Sequence, residues 1–501
     1  MTGGVRADKR IAMLVFLILL SCYAYFFPRW ADWNQNSRLN LVMAIVDRGV
    51  LYIDDYYQGY TATGDYAVYA GHVYSTKAPG SAFLGVPVYW GFGRLVGGDA
   101  VQRLLGVLSN NEAVDATLSE AGSGLLSEKF YLAMALFCVT CFTTSIPSAL
   151  LGVGLYYFLG DYVPGRAVRV AAVLIYGLAT IAFPYASCFY GHQTVAALLF
   201  GAFCLTHFIG RGRLRPVYAG VVGLMLGYAI ITEYPAVLGA ALVFFYLLYR
   251  LPRKQWIGLA VLGGLMPGLL WMAYNMAIFG QPIAFGYQHS QLFEDVNTTG
   301  FFSLVYPQPD ALWGITFGSF RGLFFLSPVL LLALPGFVYF ARRRDWCPEC
   351  AVSLGVVVAF LLFNASSVMW QGGYGVGPRY LVPMLPFLVL PLALCLARWG
   401  ARRWAMVIVG ALTAWSFLAV WAETIGGQQF PDYTRNPLFR YSLPRLIDGD
   451  VARNWGTLVG LSGSSALLPL VIVVGLLSWF LFRQLTQKTA LVQTGGAENA
   501  V

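Results

Sequence analysis

The chain has 501 residues, 58% of them hydrophobic and 11% charged, with a mean hydropathy of +0.65. A soluble core could not hide that much apolar side chain, and the apolar residues fall in repeated runs long enough to cross about 30 Å of hydrocarbon. The formal charge of +9 does not point to nucleic acid, because the basic residues sit in short caps between the runs, where membrane insertion places them; the implied partner is the lipid bilayer.

The predicted architecture is all-α, a polytopic transmembrane helical protein of about twelve spans. The runs in order are Ile11–Phe27, Phe130–Phe158, Val168–Ser187, Thr194–Ile209, Val217–Ile231 and Ala236–Tyr249. They continue with Ile257–Ile278, Leu323–Ala341, Ala351–Val368, Leu381–Leu396, Trp404–Trp421 and Ser465–Phe482. The first run follows Arg6, Lys9 and Arg10 and has no small-residue cleavage site before Pro28-Arg29-Trp30, so it reads as a retained anchor.

One further run, Ser81–Val96, is decided by charge. If it does not span, 19 of the 32 basic residues collect in short inside segments, including Arg211/Arg213/Arg215 and Arg342/Arg343/Arg344. A full span would invert every later cluster, so an interfacial or re-entrant helix is expected there. Both termini are then cytoplasmic, and 18 of the 23 acidic residues lie outside. The implied location is the cytoplasmic membrane, multi-pass, with a site on the extracytoplasmic face.

Residues 1–484 read as a single transmembrane domain, and 485–501 as a disordered cytoplasmic tail. Three outside segments are long enough to hold a site: 28–129, 279–321 and 423–463. Within the first, Asn40–Val50 has helical spacing and is expected along the membrane surface. Gly97–Glu128 reads as a polar loop with short helices. The eight cysteines lie mostly in or beside apolar runs and give no disulfide framework; Cys347-Pro-Glu-Cys350 has knuckle spacing without a second pair.

Chemistry-bearing residues concentrate in Asn34–Gly85, which carries Arg38, Asp54, Asp55, Asp65, His72, Tyr74 and Lys77. Lys77 beside Ala78-Pro79-Gly80 can present an ammonium to a lipid phosphate, or simply snorkel from a helix end. His192 and Glu233 stand at outer ends of spans, where ionisable groups are costly and tend to be paired or functional; they either partner each other or face a cavity with Asp65 and Lys77. In Met369-Trp370-Gln-Gly-Gly-Tyr374-Gly-Val-Gly-Pro-Arg379-Tyr380, glycines let the backbone approach a ligand. There Trp370 and Tyr374 can stack on a sugar and Arg379 can bind phosphate. Gln288-His289 and Glu294-Asp295 could line an acceptor side. No cofactor motif stands out; a divalent cation near His72 or His289 is left open.

Two stretches carry a family resemblance. Asn34-Gln-Asn-Ser-Arg38 and Tyr74-Ser-Thr-Lys77-Ala-Pro resemble the first outside loop of the GT-C superfamily of membrane glycosyltransferases. The branch is that of the aminoarabinose transferase of lipid A and the protein mannosyltransferases. Gly64-Asp65-Tyr-Ala, Gly71-His72-Val-Tyr74-Ser-Thr-Lys77-Ala-Pro-Gly and the later Gly377-Pro-Arg379-Tyr380 resemble uncharacterised bacterial members. The resemblance implies a GT-C-like fold with a large first loop carrying juxtamembrane helices. It implies a sugar donor linked to polyprenyl phosphate, a glycan, lipid or protein acceptor, and Arg38, Tyr74 and Lys77 on the donor phosphate. The family's acidic pair before the arginine is replaced by Gln35 and Asn36. A carboxylate to activate the acceptor must come from elsewhere: Asp65 first, Asp54 second, with Glu233 beside them. A secondary transporter and a lipid-linked glycan ligase or flippase are the alternatives; uncharged run centres count against the transporter.

Overall fold

The computed structural model describes residues 2–29, 32–96, 127–293, 299–300, 303–400, 402–428, 430 and 434–494. The Gly97–Glu128 loop lies almost wholly outside the described residues, as do Glu294 and Asp295. Each of the twelve apolar runs lies on helix, but not each as one span. Among the described residues, seven helices are long and apolar enough to cross a membrane: Phe130–Leu159, Gly191–Gly210, Lys254–Phe279, Arg344–Ala365, Arg379–Trp399, Arg403–Ile425 and Gly463–Thr486. Leu262, Met266 and Leu269 on the third, and Val471, Ile472 and Leu476 on the last, turn bare to the surroundings. An unpaired apolar face of that extent requires a lipid solvent. The chain is a multi-pass helical membrane protein.

Two runs break for local reasons. The run predicted over Val168–Ser187 becomes Arg166–Leu178 and Ala182–Ala186; between them Thr180 Oγ1 donates to Tyr176 O and accepts from Ala182 N, replacing the ladder. The run Leu323–Ala341 breaks at Ser327 (φ −131°, ψ 61°), the residue before Pro328, where helical backbone is disfavoured. At the other end, the last helix continues through Thr494, past the start of the tail expected over 485–501; residues 495–501 lie outside the described ones.

Helix α1 (Thr2–Tyr23) leads into α2 (Trp33–Met43), which ends in a π turn, Ala44–Arg48. Strands β1 (Tyr66–Tyr69) and β2 (His72–Ser75) form an antiparallel hairpin, the only sheet among the described residues. Its two-residue turn has positive φ at Ala70 (49°) and Gly71 (83°), the twist that suits a tight hairpin. Helix α3 (Gly80–Val96) follows, with Pro87 inside it, where the interfacial helix was expected. Two apolar cores result: a large one among the long helices, and a smaller one joining α2, the hairpin, α3 and Phe279.

Helix α4 (Ala219–Thr232) crosses α5 (Ile257–Phe279) at backbone contact. A Cβ on Gly223 would stand 1.8 Å from Ala260 O, and one on Gly263 2.0 Å from Gly220 O. Small residues at the crossing permit that approach, as they do between membrane helices generally. Helix α4 ends at Thr232, and Glu233 is its C-cap.

Candidate functional site

Glycine positions decide how the first loop meets the helix ends. Gly80 follows Lys77-Ala78-Pro79, and a Cβ there would lie 2.7 Å from both Ile231 O and Thr232 N. Tyr228 OH donates to Gly80 O at 2.9 Å. Gly191 opens the helix Gly191–Gly210, and a Cβ on it would strike Glu233 Oε1 at 2.5 Å. The Lys77 segment, Glu233 and the His192 turn therefore share one place because two residues lack a side chain.

There, two ion pairs form. Arg38 Nη2 donates to Glu233 Oε1 at 2.5 Å, and Arg38 also donates to Asn34 Oδ1. Lys77 Nζ lies 2.7 Å from Asp65 Oδ2, both side chains nearly buried. His192 Nδ1 stands 3.7 Å from Glu233 Oε1, so the partnership of these two exists, and Lys77 and Arg379 are close enough to act on the same carboxylate. Burial pushes the Glu233 carboxyl up, but its interactions with His192, Arg38, Lys77 and Arg379 outweigh it and hold it below the ordinary glutamate value.

One hydroxyl ties the segments that carry the two cations. Ser37, next to Arg38, donates from Oγ to Asp65 O at 2.6 Å and lies 2.7 Å from Ser75 Oγ; Ser75 Oγ in turn accepts from Lys77 N at 3.2 Å. Helix α2 and the hairpin are thus tied at the residues flanking both ion pairs.

The glycine-rich turn closes the opposite side. The Arg379 guanidinium lies over the Tyr190 ring (5.4 Å to the centroid) and the Tyr380 ring (5.2 Å). Tyr380 in turn meets His192 edge-on at 5.5 Å. Tyr374 O accepts from Tyr190 OH at 3.5 Å. Positive φ at Gly372, Gly373 and Gly377 shapes the turn. Trp370 is not free to face outward: its ring covers Gly314, where a Cβ would lie 2.4 Å from it.

Other predicted residues fall elsewhere. Asp54 accepts from Val73 N at 2.7 Å and pairs with His72 Nδ1 at 2.7 Å, while the His72 ring stacks on Tyr52. This group braces the turn end of the hairpin, whereas Asp65 precedes its open end, so His72 is not beside Asp65. Asp55 is exposed and pairs with Arg48 at 3.4 Å; it does not line the interior. His289 stacks on Phe279 and packs against Tyr69. Tyr74 is buried in the smaller core, and burial raises its hydroxyl above the usual tyrosine range. Among the described residues no three His, Cys, Asp or Glu side chains converge as a metal centre would need.

Two residues escaped sequence reasoning. Asp32 caps α2, accepting from Gln35 N at 2.9 Å, and it also accepts from Tyr190 OH. Its signal was present as Asp32-x-x-Gln35, a helix-start pattern two residues upstream of Asn34. Arg321, 1% exposed, donates to Gln371 O at 3.2 Å and Gly373 O at 2.8 Å and so holds the glycine turn. Nothing local distinguishes that arginine in the sequence.

No family model and no curated protein matches the chain. Among solved structures it is similar to ArnT from Cupriavidus metallidurans bound to undecaprenyl phosphate. The identity is 14%, over 98% of this chain and 79% of that one, with a TM-score of 0.43.

Proposed function

We propose that the protein is a membrane glycosyltransferase of GT-C type. It moves a sugar from a polyprenyl-phosphate donor to a glycan, lipid or protein acceptor, on the extracytoplasmic face of the cytoplasmic membrane, with both termini cytoplasmic. The observation that supports this most is the pair of nearly buried cations, Arg38 and Lys77, which both act on the Glu233 carboxylate and sit on segments tied through Ser37. Charge-assisted donors of this kind suit phosphate oxygens. Helix α3, apolar from its start, follows Lys77 by three residues and carries the half-buried Phe83 toward the smaller core.

In this reading Lys77 and Arg38 hold the donor phosphate and stabilise the negative charge that grows on it as the sugar leaves. Tyr74 supports the same end from the smaller core, Arg379 reaches the phosphate or sugar from the glycine turn, and Tyr374 and Tyr380 offer aromatic surface. Asp65 and Glu233 are the counter-ions that place Lys77 and Arg38.

The test uses purified full-length protein in nanodiscs. Undecaprenyl phosphate binding and sugar release from a panel of synthetic polyprenyl-phosphate hexoses and pentoses are measured for wild type and Lys77→Ala. Binding and release by wild type, both lost in Lys77→Ala, are expected. A wild type that neither binds the lipid nor releases any sugar, but carries solute flux in proteoliposomes, would replace this reading with the transporter.

A further inference from the structure

The carboxylates near the two cations are not equivalent. Asp65 is bound to Lys77, Glu233 to Arg38, and Asp54 to His72 and Val73 N. Asp32 alone among these four has only neutral donors as partners, the Gln35 amide and the Tyr190 hydroxyl. A carboxylate in direct contact with a cation is a weakened proton acceptor; one whose hydrogen-bond partners are neutral, in a half-buried place, keeps more of its basicity. Desolvation lifts the Asp32 carboxyl above the usual aspartate value, with the Tyr190 and Gln35 hydrogen bonds and the more distant Arg379 charge opposing it.

Its position also fits. Thr63 Oγ1 donates to Trp33 O at 2.8 Å and accepts from Asp65 N at 3.0 Å, and Gly64 packs so tightly on the Trp33 ring that a Cβ would come within 2.7 Å. These contacts bring Asp32, one residue before Trp33, alongside Asp65 and its Lys77. On the other side Tyr190 places it under Arg379, whose guanidinium covers the Tyr190 ring. Asp32 thus stands between the loop cations and the glycine turn.

We infer that Asp32, oriented by Tyr190, is the catalytic carboxylate that accepts the acceptor's proton; this rests on the glycosyltransferase reading above. The acceptor O–H proton passes to a carboxylate oxygen of Asp32 while the acceptor oxygen forms its bond to the anomeric carbon. The bond from that carbon to the phosphate oxygen breaks, and its electron pair leaves with the polyprenyl phosphate, whose charge Lys77 and Arg38 offset. Asp65 then serves Lys77 rather than the acceptor.

Asp32→Asn is the discriminating variant, because asparagine caps a helix as well as aspartate does. With the polyprenyl-phosphate sugar that wild type uses, transfer to water or a hydroxyl acceptor falls about 100- to 10,000-fold. The thermal midpoint and undecaprenyl phosphate affinity stay at the wild-type level. Azide, a nucleophile with no proton to lose, restores turnover in Asp32→Asn as glycosyl azide. Transfer to hydroxyl acceptors within several-fold of wild type overturns the assignment, and so does loss of azide transfer together with hydroxyl transfer. If wild type transfers nothing from any donor of the panel, the glycosyltransferase reading itself fails and takes Asp32 with it; an active wild type with an equally active Asp32→Asn overturns Asp32 alone.

Discussion

Arg38 and Glu233 lie 195 positions apart in the chain and meet at 2.5 Å, with the arginine side chain 1% exposed. The arginine has almost no water to fall back on, so its charge depends on the glutamate. Glu233→Gln leaves a buried guanidinium with a neutral partner, a loss of about 3–5 kcal/mol by the usual scale for breaking a buried pair. A fall in the thermal midpoint in detergent is expected, larger than for the exposed Asp55→Asn at its surface pair with Arg48.

The same pair sets a pH response. The Glu233 carboxyl is held below its ordinary value of 4.5 in the fold. A depressed carboxyl contributes stability that is present above the unfolded value and lost as pH falls through the folded one. Thermal unfolding followed from pH 7 downward should show wild type losing its midpoint below about pH 4.5, and Glu233→Gln losing less over that interval.

Lys77 and Asp54 separate the two ends of the hairpin. Lys77→Ala removes a charge-assisted contact of about 1.5–3 kcal/mol, roughly 10- to 150-fold in affinity for undecaprenyl phosphate. Asp54→Asn touches only the half-exposed brace with His72, so lipid affinity should stay within a few-fold. Titration of the lipid against both variants by thermophoresis checks the contrast.

Gly80→Val tests the close approach that shapes the site. The added side chain meets the backbone of Ile231 and Thr232, and such overpacking costs about 1–3 kcal/mol. The variant should lose thermal stability and lipid affinity together, because the strand of chain that must move carries Lys77.

A second charged group far along the sequence offers a control. His207 Nε2 lies 2.8 Å from Asp161 Oδ2 and its Nδ1 3.1 Å from Glu349 Oε1, and Glu349 also accepts from Tyr246 OH and Arg250. Glu349→Gln should lower the thermal midpoint by the amount expected of a buried pair, about 3–5 kcal/mol, yet leave lipid affinity unchanged. Loss of affinity in this variant would mean that the two clusters are mechanically linked.

Much of this was readable from residues alone, for physical reasons. Hydrocarbon tolerates only backbone that bonds within itself, so apolar runs had to be mainly helix, and each run is, with two of them broken inside. The breaks at Thr180 and Ser327 were less visible, because hydropathy does not register a hydroxyl that replaces the ladder or a residue held before a proline. In the site, Lys77 and Asp65 lie twelve residues apart in one loop and could be grouped on sight. Arg38–Glu233 could not be read as a pair, since it depends on the Gly223–Ala260 crossing and on missing side chains at Gly80 and Gly191. Asp32 was overlooked because its helix begins at Trp33 rather than later. Asp54 drew attention by its charge, although that charge closes a turn.

The Ser37 hydroxyl, bonded at once to Asp65 O and Ser75 Oγ, makes the seating of α2 on the hairpin a property of the protein rather than of a ligand. Arg38 on α2 and Lys77 just beyond the hairpin are carried by those joined segments, so whatever their cations hold meets backbone that is already placed. Ser37→Ala would loosen that joint, and both ion pairs would feel it at once.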